Sequence, residues 1–378
     1  MEDIYPRVMI IIDTHRLGGP GKGLLQFLRI PKNFDYCLYC IKYSSQNKNS
    51  FAKEAIKKNI NIRFFKQAFN FDPMVFLQVI SEARKNKFNI IQTHGYKADI
   101  LGLAAKKILQ ICWISFAHGF TSENFRVKMY HRLDRSILGK ADKIVAVSES
   151  IKDTLTQDNL GSEKITVIHN AVDLNDYSID KPFEDVREKF GLSPNKPLIG
   201  VIGRFSHEKG QFVFLKALKI ALEDSKNFQA VLIGEGPDQQ LLNDYIKNNN
   251  LDATVKLIEY QSDIVSWYKA LDLLVLPSLS EGLPNVILEA MLFNVPVIAT
   301  DVGAISSIID GTNGIIVPPG HPGRLAEQIK DLLSNPKKRK LLALKAGQML
   351  YPEFSSIERS KAIQSIYQEV LHHKTSPN

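Results

Sequence analysis

Apolar and polar positions along the chain follow a repeating order: a short β-branched run, a polar turn, then a longer segment with apolar residues at helical spacing. That order is the sequence form of parallel βαβ units, because a strand covered by helices on both faces reads as an almost continuous apolar run. Residues 8–12 read as the first strand, followed by a glycine-rich turn and a helix opening over 24–29. Further strands fit 34–41, 90–93, 113–116, 143–147 and 165–168. After the polar, proline-containing stretch 176–197 the pattern restarts, with strands at 198–202, 230–233, 255–258, 273–276, 296–299 and 314–317. The expected fold class is α/β, two doubly wound Rossmann-like domains facing a cleft. The expected division is 1–175 for the first domain, 176–197 for a linker, 198–350 for the second domain and 351–378 for a final helix and tail. In residues 355–372, Ile357, Ala362, Ile363, Ile366, Tyr367 and Val370 recur at helical spacing, and this helix is expected to pack back on the first domain. Ligands of such sheets bind at the carboxyl ends of the strands.

The chain has 378 residues, 44% hydrophobic and 23% charged, which is the composition of a globular protein with a proper core. Its longest apolar runs fall far short of the roughly 20 residues that span a bilayer. The start is acidic, with Glu2 and Asp3, and the first apolar run stops at Asp13, so a secretory leader is not expected and the cytoplasm is. Three cysteines make no disulfide framework; Cys37 and Cys40 form a C-x-x-C inside an expected strand with no second ligand pair nearby, so no metal site is expected.

Charge divides the chain. Residues 1–140 hold 23 Lys or Arg against 10 Asp or Glu, a net +13, whereas the whole chain carries +8. The first half therefore expects an anionic partner. Within it Phe125, Met129, Leu133 and Ile137 recur every four residues, with Arg126, Lys128, Arg132 and Arg135 between them. Such a stripe suits either a helix lying in an anionic membrane surface or one packed on the domain core. Nucleic acid is not expected, since no helix-turn-helix or aromatic-rich RNA-binding motif is present.

Candidate chemistry gathers at strand ends. Gly18 and Gly19 open the turn after the first strand, but Arg16 and Gly23 occupy positions where a Walker A loop needs Gly and Ser or Thr, and the dinucleotide spacing is also missing. A backbone able to approach a ligand at a helix N-terminus remains. In the second half, strand 198–202 runs into Arg204 and Lys209, a planar fork and a point charge able to grip a diphosphate without a metal. Strand 273–276 ends at Pro277, a loop carries Glu281, Gly282 and Leu283, and Pro284 sets the start of a helix bearing Glu289 on its second turn. Two carboxylates eight residues apart suit the hydroxyl groups of a sugar and a ribose.

At this point the sequence resembles a known family. Gly203-Arg204 with Glu208-Lys209-Gly210, Gly234-Glu235-Gly236-Pro237, the E-x(7)-E element from Glu281 to Glu289 and the run from Pro296 to Gly303 look like the second domain of family 4 retaining glycosyltransferases, which have the GT-B fold. The likeness extends through Gly18-Gly19, Ala117-His118-Gly119, Val145 to Glu149 and Ile168 to Asp173, nearly the whole chain. The resemblance implies an acceptor domain first and a nucleotide-sugar domain second. Arg204 and Lys209 would hold the donor diphosphate, helped by Gly18, Gly19, Gly282, Leu283 and Pro284; Glu289 would bind the ribose, Glu281 the transferred sugar, and His118 would lie near donor sugar and acceptor. His94, also ending a strand, is an acceptor-site candidate. No cofactor or metal is implied, and no D-x-D occurs. The expected partners are a nucleotide sugar, UDP-linked or GDP-mannose, and a glycan or lipid-linked acceptor in surface polysaccharide or glycolipid synthesis. The enzyme is expected on the cytoplasmic membrane face. Asn294 stands where the family usually has Gly, and Tyr260-Gln261 replace a common Gly near the expected nucleobase. A sugar-nucleotide epimerase of the same fold and a non-catalytic binding protein stay as alternatives.

Overall fold

The computed structural model describes residues 5–15, 17–43, 49–118, 137–158, 160–177, 184–350 and 354–375. The chain divides into two compact units, Met1–Ala171 with Ser356–Asn378, and Val172–Ser355. Each is a parallel sheet covered by helices.

In the first unit seven strands, β1 (Arg7–Ile12), β2 (Asp35–Tyr43), β3 (Ile62–Gln67), β4 (Ile90–His94), β5 (Cys112–Ala117), β6 (Lys143–Ala146) and β7 (Ile165–Val167), lie in the order β3-β2-β1-β4-β5-β6-β7. All pairings are parallel. Val8 to Ile12 are at most 2% exposed, which is what an all-apolar central strand requires. β3 was absent from the sequence expectation. It is an edge strand whose exposed Arg63 and Lys66 interrupt the apolar signal.

The first helix also starts earlier than expected, at Gly19 rather than Leu24. Gly18 is its N-cap in extended conformation, Pro20 sits in its first turn where a missing N–H costs nothing, and Lys22 N–H already donates to Gly18 carbonyl at 2.9 Å. Its later glycines serve packing: a Cβ on Gly21 would meet the Phe51 ring at 2.9 Å. Gly18, by contrast, is exposed, and a Cβ there would lie 3.9 Å from the Pro20 ring.

The final helix, Ser356–Thr375, belongs to this first unit. Ile363, Ile366, Tyr367, Val370 and Leu371 join the core formed by Leu24, Phe27, Phe34 and Ile114, with the Tyr367 ring edge-on to Phe34 at 5.0 Å. Lys143 pairs with Glu369 at 2.7 Å. Cys40 in β2 donates to Thr14 carbonyl at 3.0 Å, and burial pushes its thiol up to about 11, so Cys40 behaves as a small buried hydrophobe.

The second unit contains six parallel strands, β8 (Leu198–Ile202), β9 (Gln229–Ile233), β10 (Val255–Ile258), β11 (Leu273–Leu276), β12 (Val297–Thr300) and β13 (Ile315–Val317), ordered β10-β9-β8-β11-β12-β13. Its core joins Val201, Phe214, Leu218, Leu232, Val275, Ile298 and Ile329. Asn294 has φ +54, the left-handed conformation expected of it at a helix end. Phe125 to Arg135, most of the basic amphipathic stripe, lie outside the described residues.

Among the described residues no helix is long and apolar enough to cross a membrane.

Candidate active site

Both sheets change direction at one strand. In the second unit β8 has β9 on one side and β11 on the other, so the connections from β8 and β11 diverge and leave a crevice beyond their carboxyl ends. Lys209 comes from the first of these connections and Glu281 from the second. Lys209 Nζ lies 2.7 and 2.8 Å from the two carboxylate oxygens of Glu281, whose side chain is only 7% exposed. Ser278 hydroxyl donates to the same carboxylate at 2.6 Å.

The Glu281 loop is held on several sides by backbone. Leu279 N–H donates to Glu208 carbonyl at 2.7 Å, and Ala304 N–H to Gly282 carbonyl at 3.0 Å. Thr300 hydroxyl reaches Ser278 carbonyl at 2.5 Å. Two glycines press against it. Gly210, at φ +65, would put a Cβ 1.9 Å from Pro277 oxygen, and Gly303, at φ +61, one 2.2 Å from Glu281 oxygen. No side chain fits at either place, and both conformations favour glycine.

Glu289 lies inside the helix Asn285–Leu292 and is 3% exposed; Tyr268 hydroxyl donates to its Oε2 at 2.7 Å. Burial first, then the neighbouring carboxylate, holds the Tyr268 hydroxyl well above its usual pKa, so it stays protonated as the donor. Pro284 is the N-cap at φ −76 rather than the first helical residue, and Leu283 is buried. Arg204 is exposed at the end of β8, its carbonyl accepting from the Gln211 amide at 2.7 Å. Glu281 and Glu289 thus have separate partners, a lysine and a tyrosine. Tyr268 escaped the sequence reading because a partner 21 positions away leaves no local pattern.

The first unit repeats the arrangement. β1 has β2 on one side and β4 on the other, and the Gly18–Gly19 helix start follows β1 while His94 ends β4. His118 follows β5, the next strand. His94 Nδ1 lies 2.9 Å from His118 Nε2, and His94 Nε2 lies 2.8 Å from the Gln92 amide nitrogen. Tyr367 of the final helix hydrogen-bonds to Gln92 Oε1. Arg359, 7% exposed, comes from the same helix and donates to Gly23 carbonyl at 3.1 Å. Burial, reinforced by Arg359, pushes His118 down to about 3; burial, His118 and Arg359 hold His94 well below the ordinary imidazole value. Both rings are therefore neutral at physiological pH. Sequence singled out the two histidines and missed Gln92, Arg359 and Tyr367.

Among the described residues no three His, Cys, Asp or Glu side chains gather as metal ligands.

Two doubly wound sheets, each with polar residues at its switch point, define the GT-B class, and solved structures agree. Anabaena HepE in complex with UDP-glucose superposes with a TM-score of 0.86 over 96% of this chain and 99% of its own, at 21% identity. Family models match as Glycosyltransferase Family 4 over residues 37–176 and as Glycosyl transferases group 1 over 182–349. The chain belongs to the family 4 glycosyltransferases, with the GT-B fold. Among relatives, the capsular polysaccharide biosynthesis glycosyltransferase CapM of Staphylococcus aureus is 28% identical, with 93% of each chain covered. The Escherichia coli UDP-Gal:alpha-D-GlcNAc-diphosphoundecaprenol alpha-1,3-galactosyltransferase is 29% identical over 60% of this chain and 61% of its own.

Proposed function

We propose that this enzyme is a metal-independent, retaining hexosyltransferase that moves a sugar from a UDP-sugar to a lipid-linked or glycan acceptor during surface polysaccharide synthesis. The observation that carries this reading is the Lys209–Glu281 pair fixed in the β8–β11 crevice. Arg204 and Lys209 would face the diphosphate and stabilise its growing charge as the sugar leaves. Tied to Glu281, Lys209 is held in one position, so little reorganisation is needed at the moment of transfer. Glu281 has accepting oxygen positions left for sugar hydroxyls, and Glu289, oriented by Tyr268, offers a carboxylate that suits ribose hydroxyls. HepE with UDP-glucose and the E. coli galactosyltransferase support a UDP-sugar and a lipid diphosphate acceptor. Retention fits front-face attack with leaving-group assistance, since the two carboxylates are committed to binding rather than to a nucleophile and acid pair.

Association with an anionic membrane belongs to the same reading. At the β3 edge Phe69, Phe71, Met74 and Leu77 are 44–58% exposed. Across residues 60–100 the exposed charges are Arg63, Lys66, Arg84, Lys85 and Lys87, while Asp72, Glu82 and Asp99 are buried or half-buried. An apolar patch beside cations matches an anionic leaflet, each cation contributing about 1 kcal/mol near it.

The test is a screen of nucleotide sugars for hydrolysis and transfer to a polyprenyl-diphosphate sugar. UDP-sugar turnover with the anomeric configuration kept is expected. Inversion, or epimerisation of the donor without any acceptor, would overturn the reading.

A further inference from the structure

The hydrogen bonds that end at His118 begin on the final helix, far along the chain from either histidine. Four side chains are joined in series: Tyr367, Gln92, His94 and His118. The two imidazoles are nearly coplanar, with an interplanar angle of 20° and centroids 5.2 Å apart. That is the edge-to-edge geometry of an in-plane N–H···N bond.

A series of this kind has a direction. The Gln92 amide nitrogen only donates, so His94 must accept at Nε2 and carry its single proton on Nδ1. His94 then donates to His118 Nε2, and the proton of His118 is left on Nδ1. Turning the Gln92 amide over reverses every step and leaves His118 Nδ1 as a bare acceptor. Tyr367 decides between the two: its hydroxyl donates to Gln92 Oε1, which leaves the amide nitrogen toward His94 and holds the first orientation.

We propose that Tyr367 and Gln92 are positioning residues for transfer, fixing His118, through His94, as a neutral imidazole with its N–H at Nδ1. That atom is then a permanent donor to an oxygen of the ligand, a sugar hydroxyl or a phosphate. The inference rests on the reading that His118 borders the donor sugar. It also gives the final helix a part in catalysis beyond closing the core.

The experiment is long-range 1H–15N NMR of 15N-histidine-labelled whole protein at pH 7, with His94→Gln and His118→Gln used for assignment. Expected are two neutral rings, each with a protonated Nδ1 and a bare Nε2. Gln92→Glu puts a carboxylate, which only accepts, beside His94 Nε2. It should reverse the series, move the His118 proton to Nε2 and lower kcat at least ten-fold with KM for the donor within about two-fold. Tyr367→Phe, a milder change, releases the amide and should give both tautomers at His118 with a partial loss of kcat. Wild-type His118 protonated at Nε2 or charged at pH 7 would overturn the inference. So would a reversed tautomer with undiminished transfer while His118→Gln abolishes it. If His118→Gln itself keeps full transfer, the functional reading of His118 fails and the positioning role falls with it, whatever the tautomer.

Discussion

Gly210→Ala should cripple transfer while leaving the protein folded. The native residue has φ +65 and ψ +21, and a Cβ there would lie 1.9 Å from Pro277 oxygen and 2.8 Å from its carbonyl carbon. Ordinary contact begins at 3.4 Å, so the two segments must part by about 1.5 Å. Pro277 leads directly into Ser278 and Glu281, so the displacement falls on the Lys209–Glu281 pair. A shift of about 1 Å at reacting groups costs on the order of 100-fold in rate, or about 2.7 kcal/mol. The left-handed conformation adds about 1 to 2 kcal/mol of strain for alanine, partly offset by about 0.4 to 1 from the stiffer unfolded chain. Gly311 separates the two effects, because it has φ +85 and nothing within 4 Å of its added Cβ. Gly311→Ala should lower Tm by about 2 to 4 °C and keep kcat within about two-fold. Gly210→Ala should lower Tm further and kcat about 100-fold, measured as initial rates of transfer at saturating donor beside thermal unfolding. Equal kcat in the two variants would show that the Glu281 loop does not depend on the close approach at Gly210, and the reasoning would fail.

Lys209→Ala should lower both turnover and stability, the latter by about 3 kcal/mol because Glu281 is left buried without its cation; adding Glu281→Gln should restore the urea midpoint but not the rate. Arg204→Ala, at an exposed position, should cost about 2 to 4 kcal/mol in kcat/KM with Tm unchanged. Transfer should survive excess EDTA, and loss under chelation with recovery on magnesium or manganese would refute the metal-free scheme. His94 and His118 are neutral in the fold but charge near 6.5 when unfolded, so the unfolded state binds more protons and stability should fall as pH drops below about 6.5. Urea midpoints from pH 7 to 5 should show a steeper decline for wild type than for a His94→Gln, His118→Gln protein. Binding to anionic liposomes should exceed that to neutral ones, weaken in high salt, and drop when Phe69, Met74 and Leu77 become Ser; equal partition would remove the membrane claim.

Among the described residues, twelve of the thirteen strands were legible because a buried parallel strand has no polar face to confuse its pattern. β3 was hidden because it lies at an edge, where Arg63 and Lys66 face water. The first helix was placed late since its opening glycines look like a turn; Pro20 and the Gly18 cap make them helical instead. For the site, sequence located side chains that sit at strand ends, because position along a βαβ unit fixes position at the sheet's edge. It did not locate their partners. Tyr268 beside Glu289, or Tyr367 reaching Gln92 across 275 positions, are products of packing with no spacing to betray them. Pairing also changed the meaning of Lys209, which the sequence offered as a phosphate ligand and the structure shows as the counter-ion of Glu281.

The first unit is made of two pieces of chain separated by the whole of the second, and this imposes an order on synthesis. At about 5 to 20 residues per second, roughly ten to forty seconds pass between emergence of Ala171 and of Ser356. For that interval the face that will receive Ile363, Tyr367 and Leu371 is open, while the second unit, one continuous segment, can finish. The usual sequence of N-terminal folding first is thus inverted. A chain that has emerged only as far as Ser355 would carry a complete second unit and a first unit without its final helix. Chaperone capture of the open first unit during that window is expected to raise the yield of folded protein.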